Sequence, residues 1–158
     1  MSAEPRYVEL LAALTEEGVA FVLVGGVAAI AHGVLRATDD VDVVPASDGP
    51  NLDRLAAALR SIDALPLGGD VAYRGQFPRD GAELAGLAVW NLDTALGRLD
   101  LLRTPAGTTG FADLAGAATA TDIGVPVLLA SVADLIRMKA AAGRERDLLD
   151  IAELRRLG

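Results

Sequence analysis

The stretch Val19-Ala20-Phe21-Val22-Leu23-Val24-Gly25-Gly26, followed thirteen residues later by Asp40-Val41-Asp42-Val43-Val44, decides how the chain is read. Its first six residues form an apolar run rich in β-branched and aromatic types, which predicts a buried strand. The glycine pair that ends the run allows either a tight turn or the close approach of a phosphate to bare backbone. Val27 to His32 then reads as a short helix of small residues closed by Gly33, and Arg36-Ala37-Thr38-Asp39 as a turn. Asp40 to Val44 alternates polar with β-branched residues up to Pro45, the pattern of a half-buried strand. At positions i and i+2, Asp40 and Asp42 share one face with Cα atoms about 6.5–7 Å apart. Two carboxylates so placed repel one another unless water solvates the face or a cation lies between them.

Working outward, residues of about 4–17 carry Tyr7, Leu10, Leu11 and Leu14 at helical spacing and end at Gly18. Leu52, Leu55, Ala56, Leu59 and Ile62 predict a second helix, with Asn51 or Ser47 and Asp48 as candidate caps. From Gly68 to Pro105 the pattern is strand-like: Val71 to Phe77, Leu87 to Asn91 and Arg98 to Leu102, separated by Gly, Pro and Asp. A short helix near Ala112 to Ala117 leads to one or two more strands, the clearest at Val125 to Leu129. Ser131, with Asp134 at the capping-box position, starts a helix that breaks near Gly143 and resumes from about Glu145 to Leu157. This order specifies an α+β fold, a mixed β-sheet flanked by helices with a C-terminal helical segment. The expected organisation is one domain over 1–158, with a core of about 18–130 and closing helices of about 131–157.

The 158 residues include 14 Lys+Arg and 22 Asp+Glu, a net charge of −8, with 52% hydrophobic and 4% aromatic residues. That balance supports a packed core and argues against a passive nucleic-acid binder, which needs a basic stripe and stacking platforms. A polyanionic ligand has to be handled locally, and a cation held by carboxylates is the simplest device. With no cysteine and a single histidine, His32, thiol chemistry, Cys-based metal sites and His–His pairs are excluded. Position at the end of a short helix makes His32 a capping or packing residue. The uncharged run Gly18 to Leu35 is read as strand and helix, not a membrane span, because glycines and a histidine interrupt it. Glu16 and Glu17 before it do not suit a signal peptide, so a cytoplasmic protein is expected.

Asp100 supplies the remaining clue: it lies mid-strand in Gly97-Arg98-Leu99-Asp100-Leu101-Leu102, where propensity disfavours a charge. Either it sits at an exposed edge or something is bound to it. A third carboxylate facing Asp40 and Asp42 is what an in-line displacement at phosphorus with two metal ions needs.

Taken together, Gly25-Gly26, the thirteen-residue spacing, Asp40-Val41-Asp42 and the later strand-borne Asp100 closely resemble the nucleotidyltransferase superfamily with its polymerase-β-like core. The words Gly25-Gly-Val-Ala-Ala-Ile-Ala-His32-Gly33 and Arg36-Ala-Thr38-Asp-Asp40-Val-Asp42 look like the AbiEii-type and related minimal nucleotidyltransferases. Asp134-Leu-Ile-Arg-Met-Lys139 and Gly143-Arg144-Glu-Arg-Asp147-Leu-Leu-Asp150 are similar to the lysine-and-aspartate signature of their closing helices. The resemblance implies a nucleotidyltransferase-like fold in which Gly25 and Gly26 cradle the triphosphate and Asp40 and Asp42 ligate Mg²⁺. It further implies that Asp100 completes a two-metal site and helps deprotonate the acceptor hydroxyl, and that Lys139 reaches toward phosphate. Arg36 and Thr38 would brace the turn or touch the nucleotide. For Asp147 two readings stand side by side, a place near the active site and a helical ion pair with Arg144; Asp150 is expected to be structural. Many such proteins carry a serine where this chain has Gly26.

The activity implied is Mg²⁺-dependent transfer of a nucleoside monophosphate from an NTP to a hydroxyl of a tRNA, a protein or a small molecule, with toxin-like use preferred. A tRNA acceptor would require Arg54, Arg60, Arg74, Arg79, Arg144, Arg155 and Arg156 to gather on one side. The alternative is a non-catalytic or nucleotide-binding interaction module, one half of a toxin–antitoxin pair or a homodimer, motivated by a mean hydropathy of +0.37.

Overall fold

Residues 6–157 are described by a computed structural model. Helix α1 (Tyr7–Glu16) buries Leu10, Leu11 and Leu14 on one face and leads through Gly18, at φ +75°, into strand β1 (Phe21–Val24), all four residues of which are buried. Residues 4 and 5 of the expected first helix lie outside the described residues. Helix α2 (Gly25–Ala31) follows directly, then strand β2 (Asp40–Pro45), whose buried and half-buried positions alternate up to Val43 as the sequence pattern requires. In helix α3 (Gly49–Ser61), Asp48 is the cap and accepts from the Asn51 N–H. Asn51 is itself fully buried, exchanging bonds with both backbone groups of Ala20 and donating to the Ala46 carbonyl. It thereby ties α3 to the ends of β1 and β2.

Strand β3 (Leu65–Pro66) comes next, then a single 3₁₀ turn (Val71–Tyr73), helix α4 (Gly81–Leu84), and strands β4 (Val89–Thr94) and β5 (Gly97–Leu102). The strand expected over Val71 to Phe77 is therefore absent. Residues 71–76 are exposed, Asp70 caps the turn by accepting from the Ala72 N–H, and Gly68 and Gly75 take positive φ. The one buried member, Phe77, is held by its contact with the Trp90 ring, centroids 5.5 Å apart, and not by strand pairing. Helix α5 (Phe111–Ala115), strands β6 (Thr119–Asp122) and β7 (Pro126–Leu129) and helices α6 (Val132–Ala142) and α7 (Glu145–Leu157) complete the chain. Ser131 caps α6 as expected, and Gly143 ends it in the left-handed region at φ +67°.

The seven strands form one mixed sheet in the order β3-β4-β5-β2-β1-β7-β6. The β1–β7 and β2–β5 pairs are parallel and the others antiparallel. A continuous core runs from Leu10, Leu11 and Leu14 through Val22, Leu23, Val43 and Val44 to Leu99, Leu135 and Leu154. His32 hydrogen-bonds the Ala130 carbonyl at 2.8 Å, joining the end of α2 to the start of α6, which agrees with a packing role. Among the described residues no helix is long and apolar enough to cross a membrane.

Candidate active site

The sheet register assembles the site. Val24, Asp42, Asp100 and Asn91 are successive neighbours across β1, β2, β5 and β4, and Asp40 lies opposite Arg98 one pleat away. With strands about 4.8 Å apart, the sequence-distant Asp100 becomes the direct cross-strand neighbour of Asp42. All three carboxylates line one cleft of about 410 Å³, together with Gly25, Asn91, Met138, Lys139, Arg144 and Arg146. The expected convergence of Asp40, Asp42 and Asp100 beside the glycine turn is the arrangement found.

Their electrostatics are those of an unneutralised acid cluster. Burial first, then the charge of Asp100 and a hydrogen bond shared with it, pushes Asp42 up to about 7; Asp40 adds to the rise and Lys139 opposes it. Burial also raises Asp100, with Asp40 adding to the rise, while the bond with Asp42 and the charge of Arg98 act the other way. One oxygen of Asp40 and one of Asp100 are buried with no hydrogen-bond partner, and the nearest cation to Asp40, Arg98, stands 3.7 Å off. Orphaned carboxylate oxygens of this kind are what a hard divalent ion satisfies. Among the described residues, however, no three acids form a ready-made cage. The donor set suits an ion whose shell is completed by water and substrate phosphates, as Mg²⁺ prefers.

Gly25 is dictated by the same cluster. It takes φ +71°, and a Cβ there would lie 2.0 Å from Oδ2 of Asp42. At Gly26 a Cβ would meet the Thr38 hydroxyl at 2.8 Å. Thr38 therefore occupies the space that a side chain at 26 would need, and it braces the turn by donating to the Asp40 carbonyl at 3.2 Å.

Helices α6 and α7 supply the cations. Lys139 is buried and donates to Oδ2 of Asp150 at 3.0 Å, and the same oxygen accepts from Arg36. Asp150 thus clamps two cations from distant parts of the chain beside the glycine turn. Asp147 joins both readings held open for it: its carboxylate, almost fully buried, accepts from the N–H and guanidinium of Arg144, an arginine that lines the cleft. Burial would raise Asp147, but the bonds from Arg144 outweigh it and hold the carboxyl below its ordinary range.

Among the lining residues that the sequence reading does not name as members of the site are Asn91, Met138, Arg144 and Arg146. Asn91 carried no signal, since its place beside Asp100 follows from the β4–β5 register. Six of the seven arginines that tRNA would need are engaged within the chain. Arg54 bonds the Gly18 carbonyl, Arg60 those of Pro78 and Arg79, and Arg74 that of Asp63, while Arg79, Arg144 and Arg156 face Glu83, Asp147 and Glu153.

No protein-family model matches the chain, and no curated protein matches it significantly in sequence. Solved structures do match. The lincomycin-bound lincosamide antibiotic adenylyltransferase LnuA superposes with a TM-score of 0.62 at 16% identity, covering 97% of this chain and 96% of that one. The antibiotic-resistance factor ANT(2'')-Ia matches with a TM-score of 0.57 at 19% identity over 96% of this chain and 80% of that one. An antigenic nucleotidyltransferase-like protein from Paracoccidioides brasiliensis gives 0.58 at 19% identity over 97% and 76%. The chain has the nucleotidyltransferase fold.

Proposed function

We propose that this chain is a nucleotidyltransferase, moving a nucleoside monophosphate from an NTP to a hydroxyl acceptor with the help of Mg²⁺. The observation that carries the reading is the Asp42–Asp100 pair, two half-buried neighbouring carboxylates with one buried, orphaned oxygen, opening on the same cleft as Gly25 and Lys139. Asp40, Asp42 and Asp100 would hold the ion, which when bound neutralises charge on the phosphates and lowers the pKa of the attacking hydroxyl.

The remaining roles belong to the chain. The bare backbone at Gly25 and Gly26 leaves room for the triphosphate, and Lys139 and Arg144 offset its charge. Asp100 takes the acceptor proton as the acceptor oxygen bonds to the α-phosphorus and the α–β anhydride bond breaks, releasing pyrophosphate. Arg36 and Thr38 act on the nucleotide through the turn they brace, and Asp147 by fixing Arg144.

As for the acceptor, the near-complete overlap with an enzyme solved with lincomycin supports a small molecule alongside tRNA and protein. A second reading, a partner in a toxin–antitoxin pair or a homodimer, is supported by exposed Leu35, Leu148 and Leu149. The domain assignment over 1–158 and a cytoplasmic location are part of the same proposal.

The test is to incubate the protein with Mg²⁺ and each labelled NTP, with and without total tRNA, beside Asp42→Ala. Binding and label transfer are expected to require both Mg²⁺ and Asp42. Independence from both would overturn the enzyme reading.

A further inference from the structure

The register row fixes more than the acid cluster. Its order, Val24, Asp42, Asp100, Asn91, runs from the glycine turn at one end to the outer face of β4 at the other. Every cation lining the cleft, Lys139, Arg144 and Arg146, comes from α6 or from the chain beyond it, whereas the wall made by β4, β5 and the turn after β5 contributes Val89, Asn91, Asp100, Leu102, Thr104 and Pro105, with no cation among them. A triphosphate is drawn to the cationic wall and the bare glycines. In an in-line displacement the attacking oxygen and the leaving pyrophosphate stand on opposite sides of phosphorus. The acceptor then has the β4 side left to it.

We propose that the acceptor lies over the outer face of β4, hydrogen-bonded by the side-chain amide of Asn91 beside Asp100, and that it is a small hydroxyl-bearing molecule without phosphates; this rests on the nucleotidyl-transfer reading above. Three observations support the class. Apart from Asp100 the wall carries no charge, and it pairs apolar surface from Val89, Leu102 and Pro105 with the polar groups of Asn91 and Thr104, the makeup of a small-molecule site. The arginines paired with this half of the sheet, Arg98 with Asp40 at 3.7 Å and Arg74 with Asp93 at 3.8 Å, do not line the cleft. An RNA acceptor on this side would bring phosphates to Asp100 and to a wall that supplies no cation of its own, against the charge logic of nucleic-acid binding. Asn91 is exposed and directly opposite Asp100, so a group it holds sits next to the carboxylate that takes the proton.

The experiment uses the full chain, Mg²⁺ and α-labelled ATP in two arms, one with a mixed pool of monosaccharides, amino sugars, nucleosides and lincomycin, the other with total tRNA. Mg-ATP affinity is measured separately by calorimetry. Label is expected in the small-molecule pool and not in tRNA. Asn91→Ala should reduce that transfer at least tenfold by raising the acceptor KM, with Mg-ATP affinity within twofold of the wild type. Val89→Arg, which puts a cation on the wall, should reduce it without creating transfer to tRNA. Label in tRNA, undiminished transfer by Asn91→Ala, or no label in either arm from a protein that binds Mg-ATP would each overturn the proposal. Failure to bind Mg-ATP at all would instead remove the reaction reading beneath it.

Discussion

Asp42 and Asp100, 58 residues apart in sequence, are direct register partners in the parallel β2–β5 pair, and their half-buried carboxylates open on the same cleft. Two acids held this way repel, so the fold keeps them together against their own electrostatics. Such a cost is retained where charge has a task, and it sets the first prediction.

In metal-free protein, stability should fall as pH rises from about 4 to about 7. Asp42 ordinarily titrates at 3.8 but holds its proton to about 7 when folded. Across that window the folded state binds a proton that the unfolded chain has released, so raising the pH favours unfolding. Asp42→Asn should flatten this dependence and be more stable than wild type at pH 8 by about 1–3 kcal/mol. Urea unfolding in EDTA across pH 4–8 checks it, and added Mg²⁺ should restore wild-type stability above pH 7.

Gly25→Ala should destabilise the protein by about 1–3 kcal/mol, through its positive φ and the collision of the new Cβ with Asp42. Displacing that carboxylate should also abolish Mg-NTP binding. Thermal unfolding and calorimetry measure the two effects separately.

Gly26→Ser and Thr38→Ala should be coupled. Serine at 26 meets the Thr38 side chain, with Cβ 2.8 Å from its hydroxyl, and is expected to cost about 1–2 kcal/mol alone. With Thr38→Ala the collision is relieved, and a double-mutant cycle should return a favourable interaction of at least about 0.5 kcal/mol.

Asp150→Ala should destabilise by about 3 kcal/mol or more, because it leaves buried Lys139 beside Arg36 without their shared carboxylate. Adding Lys139→Met should recover part of the loss. Denaturant midpoints of the single and double variants decide this.

Much of this was legible in the sequence because the decisive elements are local. The buried run Val19 to Val24, the alternation around Asp40 and Asp42 and the Ser131 cap each depend on neighbours a few residues away. The segment Val71 to Phe77 carries strand formers but makes no strand, because Val71 and Tyr73 are solvent-exposed while Phe77 is buried by a ring contact. Asp100 stood out as a charge between leucines, but its partner across the sheet did not. Nor could a local pattern reveal that Asn91 would complete the row, or that Asp150 would join Arg36 to Lys139, since both follow from long-range register and packing.

The most direct measurement follows the two ends of the triphosphate. With Mg²⁺ and an accepted hydroxyl compound, label at the α-phosphate of the NTP should move to the acceptor, and label at the γ-phosphate should leave as pyrophosphate. Asp42→Asn and Asp100→Asn should each lower both by at least a hundredfold. Release of the γ label as inorganic phosphate, or transfer that survives loss of Asp100, would contradict the account.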